Sequence, residues 1–288
     1  MALSKENIED IIQLSPMQES IYFECLLHPD GNAYHEHTYY YLDGQLDVHF
    51  LNLALNNLIA SHPALRTVFR KKMGHGLLQI ILKQRPVTIT SLAFDHEGWE
   101  SEFEKVKEAD RALKYNLASA ELLRLYVIQL PDHKSILFLS HHHIVMDGWS
   151  MALFIRQLAE QYKAAVRGTT LVKTAASSFS EYIKWIGHQA KEVSMNYWLE
   201  YLANYQSAHG LHTFSTPETD QKPYCLQKAT VTLSKEESQH LRSRTAGWQV
   251  TANTYFQTIW GVLLAKYYQT DDVVFGAVVT DRPAEIKG

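Results

Sequence analysis

The sequence predicts an α/β protein built of α+β layers, and three observations carry that reading. Segments with two-residue and 3.6-residue apolar periodicity alternate along the whole chain. Two apolar runs, Ile136-Leu137-Phe138-Leu139 and Val273 to Val279, suit strands buried on both faces. A content of 46% hydrophobic and 20% charged residues over 288 positions is globular, enough for one large domain or two medium ones.

The elements follow in order. Lys5 to Gln13 reads as a surface helix. Ser15 is placed to cap a helix that Pro16 and Met17 open and that Gln18 to Leu27 continue. Tyr34 to Leu42, rich in Tyr and Thr, reads as a strand. Asp47 to Ser61 has helical spacing in Phe50, Leu51, Ala54, Leu55, Leu58 and Ile59. Leu65 to Arg70 and Leu77 to Leu82 flank the turn Gly74-His75-Gly76 as a hairpin. Trp99 to Arg111 is a charged, exposed helix. Leu122 to Leu130 and Ser135 to His142 are strands joined at Pro131-Asp132. Met151 to Val166 is a helix ending near Gly168. Thr169 to Ser178 is small and polar, a linker. Beyond it come helices at Phe179 to Trp185 and Asn196 to Tyr205, a loop at His209 to Pro223, and a strand at Ala229 to Leu233. Helices at Lys235 to Ala246 and Thr251 to Tyr268 precede the apolar strand Val273 to Val279. The chain stops soon after that strand, which suggests a fragment of something longer.

The bulk numbers exclude several classes. A net charge of -4 leaves no basic field for a phosphate backbone, so nucleic acid is not an expected partner. The two cysteines, Cys25 and Cys225, form neither a disulfide framework nor a zinc motif, as expected in a reducing cytoplasm. The N-terminus lacks the apolar core of a signal peptide, and no apolar run approaches the roughly 20 residues that span a bilayer. A soluble, cytoplasmic protein is expected.

The chemistry concentrates in Ser140-His141-His142-His143-Ile144-Val145-Met146-Asp147-Gly148-Trp149-Ser150. Three histidines stand where a buried strand ends and a turn begins. Imidazole is the side chain best suited to move protons near neutral pH. Strand alternation puts His141 and His143 on one face and His142 on the other. A histidine there could orient an attacking amine and accept its proton, while a nearby N–H stabilises the oxyanion. Asp147 adds a carboxylate, structural or catalytic, and Gly148 a permissive backbone position. The alternative is a solvated or metal-binding cluster, although adjacent histidines make a poor tetrahedral cage. Taken alone, Ser61-His62-Pro63-Ala64-Leu65-Arg66-Thr67-Val68-Phe69 is a helix end, a turn and an edge strand with Arg66 solvated. Leu14-Ser15-Pro16-Met17-Gln18-Glu19, Phe179 to Trp185 and Asp271 to Gly276 are likewise ordinary when read singly.

In combination and in this order, these segments resemble the condensation domain of nonribosomal peptide synthetases, along essentially the whole chain. Leu14 to Glu19 is similar to that family's first motif and Ser61 to Phe69 to its second, with His-Pro where His-Glu is commoner. His142-His143-xxx-Asp147-Gly148 is similar to its HHxxxDG signature, and Phe179 to Trp185 to its fourth motif. Thr251 to Gly261 and Asp271 to Gly288 are similar to the segments before its fifth. The resemblance implies two chloramphenicol-acetyltransferase-like lobes, 1–168 and 179–288, joined by a linker at 169–178. The second lobe is expected to be incomplete, because the later motifs are absent. It implies His143 as the active-site histidine and Gly148 at the reacting centre, with His142 and Arg66 in support. Asp147 would pair with Arg282, which lies in Thr280-Asp281-Arg282-Pro283 where Ser-Gly-Arg-Pro is usual. The implied reaction joins a carrier-bound donor acyl or peptidyl thioester to the amine of a carrier-bound aminoacyl thioester. The domain itself would bind no cofactor and no metal. Phosphopantetheine arms would arrive on donor and acceptor peptidyl carrier proteins, and an adenylation domain would follow downstream. With the first motif starting at residue 14, a donor carrier would come from another polypeptide, and Lys5 to Gln13 could assist docking. A CoA-dependent acyltransferase and a non-catalytic carrier-docking module are the competing readings.

Overall fold

The computed structural model describes residues 4–72, 74, 76–96, 98–119, 121–169, 179–205, 229–279, 283 and 285–286. The chain divides into two compact units, Met1–Gln189 with Pro283–Gly288, and Ala190–Arg282.

The first unit is layered around a four-stranded sheet of β2 (His35–Asp43), β7 (Lys134–His142), β6 (Leu123–Leu130) and β5 (Thr90–Ala93), in that order. β7 pairs antiparallel with β2 and β6, and β5 runs parallel to β6. Because β7 is central and covered on both sides, its alternate residues serve two cores. Leu137 and Leu139 meet Leu51, Leu55, Leu58, Phe154 and Leu158, which come from α2 (Val48–Ser61) and α4 (Gly148–Val166). Ile136 and Phe138 meet Phe103 of α3 (Trp99–Ala112) on the other face. Each such side chain, once fully buried, contributes about 1.5–3 kcal/mol.

The helices form where their sequences direct. Asp47 caps α2 by accepting the His49 and Phe50 N–H groups at 2.8 and 3.2 Å, and Pro63 follows its end. α1 (Pro16–Leu27) begins with a reciprocal capping box. Ser15 Oγ accepts the Gln18 N–H, and Gln18 Oε1 accepts the Ser15 N–H. A second sheet sets β4 (Gly76–Leu82) between β1 (Ile8–Gln13) and β3 (Thr67–Lys72). Gly74 and Gly76 carry φ of +77° and +75° in the β3–β4 turn, where a Cβ would strain the backbone.

Arg66 is buried rather than solvated. Its guanidinium donates to the Ile59, Leu82 and Lys83 carbonyls and pairs with Glu9 at 2.6 Å. It ties β1, the end of α2 and the end of β4 together.

Several expectations are corrected. Lys5 to Gln13 is not a helix but a 3₁₀ turn followed by β1, because Ile8 and Ile11 pair with Leu82 and Ile80 of β4. β5 adds a short strand where none was expected. α3 is exposed on one side only, since Phe103 and Asp110 are 2% and 1% exposed.

The second unit contains α6 (Lys191–Tyr201), α7 (Lys235–Gly247) and α8 (Ala252–Tyr268), while α5 (Phe179–Gly187) groups with the first. The helix expected at Asn196 to Tyr205 therefore lies several residues earlier. Ala229 to Leu233 and Val273 to Val279 are not strands, and Val231 and Val278 are 89% and 98% exposed. A strand needs a ladder partner, and among the described residues of this unit none is present. Of the linker at 169–178 only Thr169 is described, and the loop at His209 to Pro223 lies outside the described residues.

Candidate active site

β7 ends at His142, and the following turn carries His143 into the start of α4. Nearly every polar backbone group here has a named partner. The His142 N–H donates to the Leu122 carbonyl at 3.0 Å and the His143 N–H to the Tyr34 carbonyl at 2.8 Å. The Val145 and Met146 N–H groups close the turn onto the His142 and His143 carbonyls at 3.2 and 3.4 Å. The Ile144 N–H donates to His142 Nδ1 at 3.2 Å. The Ile144 carbonyl accepts from Gln18 Nε2 at 3.3 Å. Tyr34 sits in the left-handed region with φ 65°, uncommon for a non-glycine residue. Its ring centroid lies 6.3 Å from those of both His142 and His143 and stacks on the latter.

The three histidines differ in environment. Since the Ile144 N–H donates to Nδ1, the His142 proton sits on Nε2 and points to Cys25 Sγ at 3.5 Å. Burial, helped by neighbouring imidazoles, pushes His142 down to about 4 and His141 likewise to about 4. Burial also pushes the Cys25 thiol up, so it stays protonated. His142 is thus a neutral, tautomer-locked brace. His141 is buried between β2 and β6, with its Nδ1 unpartnered among the described residues. His143 is half-buried. Its Nδ1 is sealed with no hydrogen-bond partner among the described residues, which leaves Nε2 as the nitrogen available to a substrate.

The pH dependence of stability follows with a definite sign. An unfolded histidine titrates near 6.5, whereas His141 and His142 stay neutral down to about 4 in the fold. Between those values the unfolded chain binds more protons, so stability falls as pH drops from about 6.5 to about 4. The loss approaches roughly 3 kcal/mol per ring. Urea midpoints of wild type and His142→Asn across this window check it. The variant should lose less on acidification, and identical slopes would refute the assignment.

Asp147 caps α4 by accepting the Ser150 N–H at 2.7 Å. Arg282, its expected partner, lies outside the described residues, as does Asp281. Gly148 is the first residue of α4 without positive φ, and a Cβ there would meet nothing within 4 Å. The local fold does not demand glycine, and the space over it is open. His62 reaches Gln157 of α4 at 2.7 Å, which connects the second motif to the helix that follows the signature.

Sequence reading missed a buried polar cluster on the α3 side of the sheet. Asp110 accepts from His35 Nε2 at 3.0 Å, His37 Nε2 at 2.9 Å, Tyr126 Oη at 2.7 Å and Ser140 Oγ, and it lies 2.8 Å from Arg124 Nε. Burial raises this carboxyl, but the hydrogen bonds prevail and hold it far below the usual carboxylate range. Tyr115 joins the cluster through a 2.8 Å contact with Ser140 and sets its ring 5.9 Å from His142. The spacing of Phe103 and Asp110, two turns apart on one helical face, was the available signal.

His35, His37 and Asp110 offer three ligand atoms within 4.8 Å of one another. The donor set does not fit a metal ion. Arg111 Nη2 donates to His37 Nδ1 at 3.3 Å, which puts the proton on the nitrogen that would ligate. The Arg124 guanidinium already neutralises the carboxylate.

Comparison with known proteins places this geometry. The condensation domain family model matches residues 8–287. Gramicidin S synthase 2 of Brevibacillus brevis is 35% identical over 99% of this chain, and tyrocidine synthase 2 of Brevibacillus parabrevis is 32% identical over 99%. The chain spans only 6% and 8% of their lengths. Among solved structures, the first condensation domain of the calcium-dependent antibiotic synthetase, in complex with a substrate analogue, superposes with TM-score 0.64. It is 24% identical, with 71% of this chain and 52% of that one covered. A mutant starter condensation domain of the rhizomide synthetase RzmA, in complex with C8-CoA and Leu-SNAC, gives TM-score 0.64 and 23% identity over 72% and 48%. The α/β fold is that of condensation domains. With a family match along almost all of its residues and relatives above 30% identity, the chain belongs to the condensation-domain family.

Proposed function

We propose that this chain is the part of a condensation domain that carries the active-site histidine, and that its reaction is amide-bond formation. The acceptor amine, delivered on a carrier protein's phosphopantetheine arm, attacks the acyl carbon of a donor thioester on a second carrier. The observation that carries this reading is the half-buried His143 imidazole, held by backbone and stacking but with no hydrogen bond on its ring among the described residues. His143 Nε2 orients the amine and takes the proton that nitrogen loses as the C–N bond forms. The carbon–sulfur bond then breaks, the imidazolium passes that proton to the departing sulfur, and the donor arm leaves as a thiol. The open volume over Gly148 admits the reacting groups, while His142 and Arg66 hold the frame. Asp147 steadies the start of α4. The lobes are proposed as 1–168 and 179–288 with the linker between. An adenylation domain in the same assembly would load the acceptor carrier. Among the described residues no helix is long and apolar enough to cross a membrane, and a cytoplasmic location is proposed.

The test uses the complete synthetase with donor-loaded and acceptor-loaded carriers, and mass spectrometry of the acceptor arm. Amide product on that arm is expected. Hydrolysis of the donor alone would overturn the reading. The C8-CoA complex of the RzmA neighbour supports a second reading in which an acyl-CoA is the donor, and product formed from acyl-CoA without a donor carrier would favour it.

Gly148 gives a separate prediction. Gly148→Leu should fold as well as wild type, because position 148 is exposed, has no positive φ, and a Cβ there meets nothing within 4 Å. It should slow amide formation on the order of 10²-fold by displacing the reacting groups. Thermal melts and single-turnover rates check both halves, and an unimpaired rate would remove Gly148 from the site.

A further inference from the structure

We infer that Gln18 is a positioning residue for His143, a role resting on the proposed reaction. Gln18 lies on the first turn of α1, 126 positions from its partner, and is 9% exposed. Its amide is fully committed. Oε1 accepts the Ser15 N–H at 3.0 Å and Gln79 Nε2 at 3.1 Å. Gln79 Nε2 also donates to the Gln13 carbonyl at 2.8 Å, which fixes which end of Gln18 is oxygen. The remaining end, Nε2, must therefore be the donor to the Ile144 carbonyl at 3.3 Å.

Ile144 immediately follows His143. Its N–H is held by His142 and its carbonyl by Gln18, while the His143 N–H is held by Tyr34. The two peptide units that flank the reactive imidazole are thus held by Tyr34 and His142, and the next unit, between Ile144 and Val145, is held by Gln18. Of these pins, Gln18 is the side chain supplied by the first motif. This explains what a capped helix start contributes to a site in the β7–α4 turn. The ring of His143 has no hydrogen bond of its own among the described residues, so its direction depends on these backbone pins and on the Tyr34 ring.

Gln18→Glu separates positioning from folding. The carboxylate still accepts from Ser15 and Gln79, so the capping box is kept, but at neutral pH it turns an acceptor toward the Ile144 carbonyl. In the complete synthetase, kcat should fall about 10- to 100-fold with the acceptor KM unchanged within about twofold. Protonation restores an O–H donor, so the ratio of variant to wild-type rate should climb as pH is lowered. Independently of catalysis, amide hydrogen exchange across 142–147 should quicken in the variant while the body of α4 stays protected. If Gln18→Glu does not fold, Gln18→Met replaces it, with the same loss expected and no recovery at low pH. A wild-type kcat at neutral pH in a folded variant would overturn the inference. Should wild type itself make no amide, the reaction assignment fails, and unchanged exchange across 142–147 would then overturn the pin on its own.

Discussion

Alanine at position 143 should slow amide formation by roughly 10²- to 10⁴-fold, the range for loss of a positioned acid–base group. The melting temperature should hardly move. The His143 ring makes no hydrogen bond among the described residues, so its removal orphans no partner, and the pins on the turn are all backbone groups or other side chains. This asymmetry, large in rate and small in stability, is the signature of a group kept for chemistry. The pH–rate profile of the complete synthetase decides between two roles. If the imidazole takes the amine's proton, the acidic limb of wild type disappears in His143→Ala. If it only orients the amine, both proteins keep the same limb and differ by a constant factor. A folded His143→Ala that forms amide at the wild-type rate would reduce the domain to a carrier-docking module.

How much of this was legible depends on the range of the interactions that decide each feature. α2 was readable because Asp47 and the stripe Leu51, Ala54, Leu55, Leu58 and Ile59 state its start and its buried face within a dozen residues. β7 and the histidine turn were readable because an apolar run and a polar signature adjoin. β1 was not. Its residues Ile8–Gln13 lack clean alternation, and the pairing that makes them a strand comes from β4, about seventy positions away. The opposite error occurred at Val273 to Val279, where a local apolar run mimics a strand but has no ladder among the described residues. Within the candidate site, His143, Asp147 and Gly148 were marked by the spacing of the signature. Tyr34 and Cys25 were not, and Gln18 was legible only as part of a capped helix start, since a side chain that serves a turn more than a hundred residues away leaves no periodic trace. Arg66 looked solvated for the same reason, because its carbonyl and carboxylate partners come from three separate segments.

Asp110→Ala should destabilise the first unit by about 3–5 kcal/mol, the scale for removing one partner of a buried ion pair. The carboxylate is 1% exposed and accepts from two imidazoles and two hydroxyls beside an arginine that is itself only 22% exposed. Deleting it leaves a partly buried cation and several donors without their shared acceptor. Asp110→Asn keeps the volume but aims two N–H groups at existing donors, so it should recover only part of the loss. For a unit of this size a loss of about 4 kcal/mol corresponds to a fall in melting temperature of roughly 10 °C. The sign with pH differs from that of the buried histidines. A carboxyl held far below its unfolded value contributes stability above the ordinary carboxylate range and loses it only as pH falls through the folded value. Its contribution therefore persists through the window from about pH 6.5 to 4 in which His141 and His142 lose theirs. The consequence reaches the active site through β2. His35 pairs with His142 in the β2–β7 register and follows Tyr34, whose carbonyl and ring hold His143. Releasing His35 from Asp110 loosens that strand end, so the Asp110 variants should lose rate as well as stability, with the Asn form intermediate in both. Urea titration at neutral pH measures the first and single-turnover amide formation the second. An Asp110→Ala protein within about 0.5 kcal/mol of wild type, the scale of a neutral surface change, would mean that the cluster does not hold the sheet together.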